Sequence, residues 1–228
     1  MTAKVTCIVA AGGSGTRMGE NINKLFLEIG EIPVIAHTLL ALQKNNYIED
    51  IIISAREEDI IYMRDIVNAF DISKVKTIVK GGQTRGESVL CASKEIDSGC
   101  DFVMVHDGAR PCITDDVIER TVEAAVEFNA AACGVKPKCT LKSLTNDGVI
   151  EETVDREKTV EIQTPQVFSK ELFKKMYSFD KETIKNATDD CILAEKSGTK
   201  IKVTEGSYKN IKVTTPEDLE IAEIFLRR

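Results

Sequence analysis

The feature that most constrains the fold is a regular alternation of short apolar runs with longer segments of helical periodicity. Each apolar run is long enough for one buried strand, and the intervening segments repeat their apolar side chains with the spacing of an amphipathic helix. Such alternation predicts an α/β fold, a doubly wound, mostly parallel sheet covered by helices on both faces. The predicted strands are Val5–Ala10, Ile48–Ser54, Val75–Val79, Phe102–His106, Ala130–Val135, Ile201–Thr204 and Ile211–Val213. The predicted helices are 33–44, 57–70, 83–96, 115–128, 170–178, 191–197 and 216 to about 226.

The length, charge and composition of the chain exclude several classes of protein and several kinds of site. The chain has 228 residues, which favours one domain spanning 1–228, and its net charge of −7 disfavours nucleic-acid binding by charge alone. No apolar run approaches the length of a membrane span, and the first residues do not resemble a signal peptide, so we expect a cytoplasmic protein. Seven cysteines without a C-x-x-C pair and only two histidines disfavour a zinc site, a redox pair and a histidine-based catalytic centre.

The first predicted strand runs into a glycine-rich turn over residues 12–15, and Arg17 and Lys24 follow. Glycines directly after a strand allow backbone N–H groups to approach an anion closely, and the two cations add charge for phosphate oxygens. The stretch is not a P-loop, because no Gly-Lys-Ser/Thr follows, and Met18 stands where a dinucleotide fingerprint has its third glycine. Two interpretations of the stretch remain: a triphosphate cradle, which the glycines and the two cations favour, and a tight turn followed by solvated cations.

Other polar groups also follow predicted strands. Gly81–Ser88 comes after the third strand, and Asp107 and Arg110 come after the fourth. Ligands of doubly wound sheets bind beyond the carboxyl ends of the strands, so these groups and the glycine turn are expected to meet there. A carboxylate at Asp107 suits Mg²⁺ or a ribose hydroxyl, although Asp-Gly is also a common turn pair.

The alternation is interrupted between residues 137 and 160. Thr140–Leu144 and Val149–Val154 flank an Asn-Asp-Gly turn, which predicts a β-hairpin inserted into the domain. The hairpin is either a surface decoration or an arm that packs on a second subunit or closes over a site. We favour the arm, because isolated hairpins are marginally stable unless they pack against something.

The motifs of the chain, taken together and in order, resemble the 2-C-methyl-D-erythritol 4-phosphate cytidylyltransferase family. The resemblance runs from Lys4 to near the C-terminus, and the whole ordered set is far more specific than any single motif. The motifs are AGGSGTRM (11–18), Lys24, Gly81-Gly82 before Ser88, HDGARP (106–111), TVDR (153–156), QTPQVF (163–168), TDD (188–190) and NIKVTTPEDL (210–219).

The resemblance implies a nucleotidyltransferase fold related to nucleotide-diphospho-sugar transferases, a homodimer formed through the arm, and Mg²⁺ as cofactor. The implied reaction is attack by the phosphate of 2-C-methyl-D-erythritol 4-phosphate on the α-phosphorus of CTP, with release of pyrophosphate. Arg17 and Lys24 would stabilise the transition state, and Asp107 would serve ribose and metal. The triphosphate would lie on Ala11, Gly12, Gly13, Ser14 and Gly15, and cytosine would meet Gly82, Gln83 and Ser88. The implied acceptor ligands are Arg110, Thr140, Arg156, Thr164, Thr188 and Lys212, of which Thr140, Arg156 and Thr164 belong to or border the arm and reach the partner subunit's site.

The sequence departs from the family pattern around the catalytic lysine. Asn23-Lys24-Leu25 stands where the family usually has Pro-Lys-Gln, so the backbone there loses the restraint of a proline. The glycine motif also occurs in ribitol 5-phosphate cytidylyltransferases, so a pentitol phosphate is an alternative acceptor, although TVDR and HDGARP favour methylerythritol phosphate. A non-catalytic nucleotide-binding subunit is a further alternative, disfavoured because charged ligands are present on both the triphosphate and the acceptor side.

Overall fold

The computed structural model describes residues 3–13 and 23–227, and they form one seven-stranded sheet with helices on both faces. The strands of the chain are β1 (Val5–Ala11), β2 (Glu28–Ile29), β3 (Ile32–Pro33), β4 (Ile48–Ala55), β5 (Val75–Lys80), β6 (Phe102–Asp107), β7 (Ala130–Val135), β8 (Lys142–Leu144), β9 (Ile150–Thr153), β10 (Glu161–Ser169) and β11 (Lys202–Glu205). The helices are α1 (Val34–Lys44), α2 (Ile60–Ala69), α3 (Arg85–Ser93), α4 (Asp115–Phe128), α5 (Lys170–Met176), α6 (Lys181–Lys185), α7 (Cys191–Lys196) and α8 (Pro216–Leu226). In the part of the chain described, no helix is long and apolar enough to cross a membrane.

The sheet has the strand order β11-β7-β10-β6-β1-β4-β5. β1 is paired in parallel with both β4 and β6, which confirms the predicted doubly wound, mostly parallel sheet. Alternate residues of β1 enter two separate apolar layers: Cys7 and Val9 pack with α1, α2, α4 and α8, whereas Ile8 packs with α3, α5, α6 and α7. This alternation explains why the strand is apolar at nearly every position, since both of its faces are buried.

Within the seven-stranded sheet, β10 is the strand that sequence periodicity did not predict. It pairs antiparallel with β6 on one side and β7 on the other, so it lies inside the sheet. A proline in a sequence argues against a central strand, because it has no backbone N–H group to donate to the hydrogen-bond ladder between strands. Here Pro165 falls between Ile162 and Gln166, where the pairing with β7 is irregular and no regular ladder is formed. The opposite error occurs at Ile211–Val213, which was predicted as a strand but is an irregular segment.

The inserted hairpin is present. β8 and β9 pair antiparallel with each other and form a two-stranded sheet separate from the large one. Its turn contains Gly148 with a φ of +83°, a conformation that glycine adopts without strain. Three large apolar side chains, Leu144, Val149 and Ile150, are exposed on it. The hairpin therefore carries an apolar surface that its own strands do not cover.

Candidate functional site

A cavity of about 360 Å³ opens at the carboxyl ends of β1 and β6, where Gly12 and Gly13, the start of α3 and the segment before α8 converge. Its volume lies in the range typical of small-molecule sites. The lining residues are Ala10, Gly12, Gly13, Lys24, Leu25, Gly82, Gln83, Thr84, Arg85, Ser88, Asp107, Ala109, Lys212 and Thr214. The strand ends thus meet as the doubly wound topology predicts.

The carboxylate of Asp107 is the electrostatic centre of this cavity. It ends β6, and its side chain is only 8% exposed. Lys212 Nζ lies 3.0 Å and Arg110 Nε 3.3 Å from Oδ2, while Arg85 Nε lies 3.5 Å from Oδ1. One buried anion is therefore surrounded by three cations from three different segments, which leaves an excess of positive charge beside the cavity.

These cations determine the protonation state of Asp107. Burial alone raises the pKa of a carboxyl group, but Arg85, Lys212 and Arg110 outweigh it and hold the pKa of Asp107 well below its usual range. Burial likewise lowers the pKa of Arg85, and here Asp190 and Asp107 outweigh it and raise the pKa above its ordinary value. Asp107 and Arg85 are thus both charged at neutral pH.

Thr164 lies beneath Asp107 and is itself buried. The backbone N–H of Asp107 donates to Thr164 Oγ1 at 3.0 Å, and the hydroxyl in turn lies 3.1 Å from His106 Nδ1. Because the hydroxyl oxygen accepts from Asp107, its hydrogen is available for the imidazole. His106 is fully buried, and burial lowers its pKa to about 3, so the ring is neutral. Neither Thr164 nor His106 lines the cavity, and both support Asp107 from behind.

Arg110 is also turned inward. Its guanidinium contacts Asp107 and donates from Nη1 to the carbonyl oxygen of Asn210 at 2.7 Å. Asn210 donates from Nδ2 to the carbonyl oxygen of Thr164 at 2.9 Å. Arg110 therefore ties the end of β6 to the segment that carries Lys212, and it is buried in doing so.

Lys24 reaches the cavity from a single turn of 3-10 helix, Lys24–Phe26. Asn23 is buried and caps this turn, because its Oδ1 accepts from Leu25 N–H at 3.1 Å. Its Nδ2 donates to Asp59 Oδ2 at 2.7 Å, and Arg56 contacts the same carboxylate. The start of the Lys24 turn is thus restrained by one local side-chain hydrogen bond and by one to Asp59 in a distant segment.

The backbone of residues 81–84 packs tightly against α3 beside the cavity. A β-carbon on Gly82 would come 2.3 Å from Glu87 Cβ, so only glycine fits there, and one on Gly81 would come 2.7 Å from Ser88 Oγ, which would have to shift. Glu87 accepts from the N–H groups of Gln83 and Thr84, while Thr84 caps the helix in return. This capping box holds the loop that presents Gly82, Gln83 and Ser88 to the cavity.

The structure separates the predicted site residues into three groups. Gly12, Gly13, Lys24, Gly82, Gln83, Ser88, Asp107 and Lys212 line one cavity, and Ala11 is buried beside it. Arg110 and Thr164 lie behind Asp107, whereas Thr140, Arg156 and Thr188 are exposed and do not line the cavity of this single chain. Ser14, Gly15 and Arg17 lie outside the described residues.

Sequence reasoning missed Arg85 and Asp190 as site residues. Arg85 lines the cavity and joins Asp107 to Asp190, whose side chain is completely buried. A buried, charged residue is rarely found without a partner, but burial of these residues is not visible in the local pattern. The available signal was that Arg85 falls between Gln83 and Ser88, within a segment already predicted to follow a strand end.

Comparison with known proteins agrees with this geometry. Residues 5–228 match the family model described as 2-C-methyl-D-erythritol 4-phosphate cytidylyltransferase. A protein of that name from Bacillus cereus is 44% identical over 222 residues, covering 97% of each chain. Another, from Caldanaerobacter subterraneus subsp. tengcongensis, is 41% identical over 225 residues, covering 98% of this chain and 99% of its own.

Solved structures show the same fold. The 4-diphosphocytidyl-2C-methyl-D-erythritol synthase from Anaerococcus prevotii superposes with a TM-score of 0.83 at 31% identity, covering 100% of this chain and 97% of its own. The 2-C-methyl-D-erythritol 4-phosphate cytidylyltransferase from Thermus thermophilus superposes with a TM-score of 0.78 at 25% identity, with both chains fully covered. The chain described here belongs to the 2-C-methyl-D-erythritol 4-phosphate cytidylyltransferase family.

Proposed function

We propose that the cavity beside Asp107 is the active site in which this protein carries out its family's reaction. As a member of that family, the protein transfers a cytidylyl group from CTP to 2-C-methyl-D-erythritol 4-phosphate in isoprenoid precursor biosynthesis. The observation that carries the assignment is the arrangement of Lys24, Asp107 and Lys212 around one cavity of about 360 Å³. Fixed cations around a cavity of nucleotide size suit the joining of two polyanions.

We propose that the nucleotide binds along this cavity, with its triphosphate and its base held by different lining residues. Gly12 and Gly13 would hold the triphosphate by backbone N–H groups, with Ala11, Ser14 and Gly15 completing the loop. Gly82, Gln83 and Ser88 would contact cytosine. Asp107, which lines the same cavity, would accept from a ribose hydroxyl. The close packing of residues 81–84 on α3 supports this assignment, because a preformed backbone edge can discriminate a base by hydrogen bonds.

Mg²⁺ is the proposed cofactor, and Asp107 is the residue that would hold it. Among residues 3–13 and 23–227 there is no group of three or more His, Cys, Asp or Glu that could hold a metal ion. A single carboxylate can serve Mg²⁺, which keeps several waters and commonly binds through one or two carboxylates together with substrate phosphates. Both oxygens of Asp107 already contact Arg85, Arg110 or Lys212, so the nucleotide phosphates and water would supply most of the ligands of the ion. When bound with the nucleotide, the ion would neutralise charge on the phosphate oxygens.

The chain's own residues would align the reactants and neutralise charge. The attacking phosphate is already an anion, so no strong general base is needed. Lys24, together with Arg17, would stabilise charge on the α-phosphate and on the departing pyrophosphate. His106 is buried, neutral and absent from the cavity lining, which supports a mechanism without a histidine base.

The acceptor would bind beside Lys212, near the exposed Thr188. Arg156 and Thr140 belong to or border the hairpin arm and are exposed in the single chain, so we propose that they complete the site of a partner subunit. The uncovered apolar side chains Leu144 and Ile150 support a homodimer formed through the arm. For Arg110 and Thr164 we propose a supporting role behind Asp107 in place of direct contact with the acceptor, because both are buried there.

The reaction is tested by pyrophosphate release from CTP in the presence of Mg²⁺ across a panel of sugar-alcohol phosphates. We expect turnover with 2-C-methyl-D-erythritol 4-phosphate and little with ribitol 5-phosphate. Release that is independent of any acceptor, or faster with a pentitol phosphate, would contradict the proposal. Omitting Mg²⁺ and adding a chelator tests the cofactor, since we expect turnover to be lost and then restored by the added ion.

The shared site is tested by complementation between two inactive variants. Lys24→Ala disables the cavity and Arg156→Ala disables the arm. In a mixed dimer, one site would combine an intact cavity with an intact arm from the other chain. Co-expressed variants should therefore regain activity from about a quarter of the wild-type sites, since half of randomly formed dimers are mixed. No recovery in mixed dimers would mean that Arg156 acts within its own chain or not at all.

A further inference from the structure

Arg85 connects two carboxylates that lie in distant parts of the chain. It is the first residue of α3, and its side chain is 21% exposed at the cavity wall. Its Nη1 lies 2.7 Å from Asp190 Oδ2, and its Nε lies 3.5 Å from Asp107 Oδ1. Within the described part of the chain, Nη2 is buried without a hydrogen-bond partner, so the two carboxylates determine how the guanidinium is oriented.

Asp190, the anchor of this ion pair, is held in place by several contacts of its own. Its carboxylate is fully buried and accepts a hydrogen bond from the hydroxyl of Tyr177. Its backbone N–H donates to Gln166 Oε1 at 3.0 Å, and Gln166 Nε2 donates to Asp189 Oδ2 at 3.0 Å. Gln166 belongs to β10, which pairs with β6 directly before Asp107. The segment 188–190 is thereby held against the same part of the sheet that carries Asp107.

The three cations around Asp107 do not act on the same oxygen. Arg110 and Lys212 contact Oδ2, whereas Arg85 contacts Oδ1. Lys212 is 41% exposed, and Arg110 comes from the turn that follows Asp107 itself. Arg85 does not belong to that turn, and its guanidinium is held by Asp190 in a different segment. Its contact with Oδ1 therefore restrains the rotation of the Asp107 carboxylate.

We propose that Arg85 is a positioning residue that holds the Asp107 carboxylate against the Asp190 anchor and so keeps the nucleotide side of the cavity aligned with segment 188–190. The inference rests on the proposed role of Asp107 in binding CTP. The competing explanation is that Arg85 only neutralises the buried charge of Asp190 and thereby stabilises the fold. The two explanations differ in what happens when both members of that pair are made neutral.

The test compares Arg85→Gln, Asp190→Asn and the double variant, with Arg64→Gln as a control that removes an exposed arginine from α2. The measurements are the Tm, the Kd for CTP with Mg²⁺ present but no acceptor, and kcat and KM for both substrates. Arg85→Gln leaves the buried Asp190 carboxylate without its cation, and Asp190→Asn leaves Arg85 with Asp107 alone, so each should lower the Tm. The double variant removes both charges of the pair and should recover much of the Tm. We expect the double variant still to bind CTP more weakly, and to lose kcat/KM, on the order of tenfold to a hundredfold.

Recovery of both the Tm and the CTP affinity in the double variant would overturn the inference and leave a purely structural ion pair. If a single variant does not fold, the double variant and Arg85→Lys carry the test. Arg85→Lys retains the charge but loses the planar fork that reaches both carboxylates, so it should weaken CTP binding with a smaller change in Tm. CTP binding by Arg85→Lys equal to that of Arg64→Gln would also overturn the inference.

Asp107→Asn separates this inference from the proposed function. If Asp107→Asn weakens CTP binding while the refolded double variant does not, only the positioning role of Arg85 fails. If Asp107→Asn binds CTP as the wild type does, the proposed role of Asp107 fails and the role of Arg85 falls with it. Weakened binding in Asp107→Asn and in the double variant supports both.

Discussion

The hydroxyl of Thr164 accepts a hydrogen bond from the backbone N–H of Asp107 at 3.0 Å, although 57 positions separate the two residues in the chain. Thr164 lies in β10, the strand inserted antiparallel beside β6, and both residues are buried. The contact therefore holds the end of β6 at the point where its carboxylate faces the cavity. Thr164 therefore positions Asp107 although its own side chain does not line the cavity.

Replacing Thr164 with valine preserves the shape of the side chain but removes the oxygen that accepts from Asp107 N–H. A buried backbone N–H without a partner costs on the order of 1–3 kcal/mol, so we expect the free energy of unfolding to fall by that amount. Because the Asp107 carboxylate would also be less well fixed, kcat/KM for CTP should decrease. Urea unfolding and steady-state kinetics measure the two effects, with Thr164→Ser as the matched control that retains the hydroxyl. Thr164→Val with wild-type stability would contradict the account.

Replacing Lys24 with alanine removes a cation from the cavity wall while leaving the capping contacts of Asn23 in place. Loss of a preorganised charge donor typically lowers kcat by on the order of a hundredfold or more, and we expect a fall of that size with little change in Tm. Arg17→Ala should behave in the same way. Single-turnover pyrophosphate release measures the effect, and Lys94→Ala, which alters an exposed lysine after α3, is the control. Near-normal turnover in Lys24→Ala would remove Lys24 from the mechanism.

Asn23 caps the turn that carries Lys24, and its contacts predict what a substitution does. Asn23→Ala removes the cap of the Lys24 turn and the contact with Asp59, so stability should fall by about 1 kcal/mol. Because Lys24 is then less restrained, kcat should fall as well. Asn23→Pro should retain more activity than Asn23→Ala, since the φ of −64° at this residue is the value that proline imposes. Equal activity of the two variants would show that backbone restraint at position 23 is unimportant.

His106 makes the stability of the protein depend on pH on the acid side of neutrality. Its pKa in the folded protein is about 3, whereas the unfolded chain takes up the proton near pH 6.5. Between these values the unfolded state binds the additional proton, so stability must fall as the pH is lowered. The expected loss approaches about 1.4 kcal/mol per pH unit below pH 6 and amounts to roughly 1.6 kcal/mol between pH 6.5 and pH 5, because half of the unfolded chains are already protonated at pH 6.5.

Urea unfolding of wild type and His106→Gln at pH 7, 6 and 5 isolates this contribution. The glutamine cannot titrate but can still accept from Thr164, so its stability should decline less steeply with falling pH. The quantity to compare is the slope and not the absolute stability, because the substitution also changes packing. Parallel curves for the two proteins would show that His106 does not stay neutral in the folded state.

Much of the architecture was predictable because local periodicity carries it. β7 and α4 have the bounds expected from sequence, and β1, β4, β5 and β6 each differ from the predicted strand by one residue, whereas the two-residue strands β2 and β3 were not predicted. The errors have a common physical origin. β10 is polar and contains Pro165, so it does not resemble a strand, and it exists because β6 and β7 pair with it from both sides. Ile211–Val213 has the composition of a strand but finds no partner strand among the residues that the structure describes.

The sequence by itself determined that glycines and a carboxylate would lie at the carboxyl ends of neighbouring strands, because strand identity and glycine conformation are local properties. Only the tertiary structure decided which charges meet there. Lys212 lies 3.0 Å from Asp107, and Arg85 lies 2.7 Å from Asp190, through contacts that no local pattern encodes. These pairs depend on the order and register of strands in the sheet, which packing of the whole chain selects.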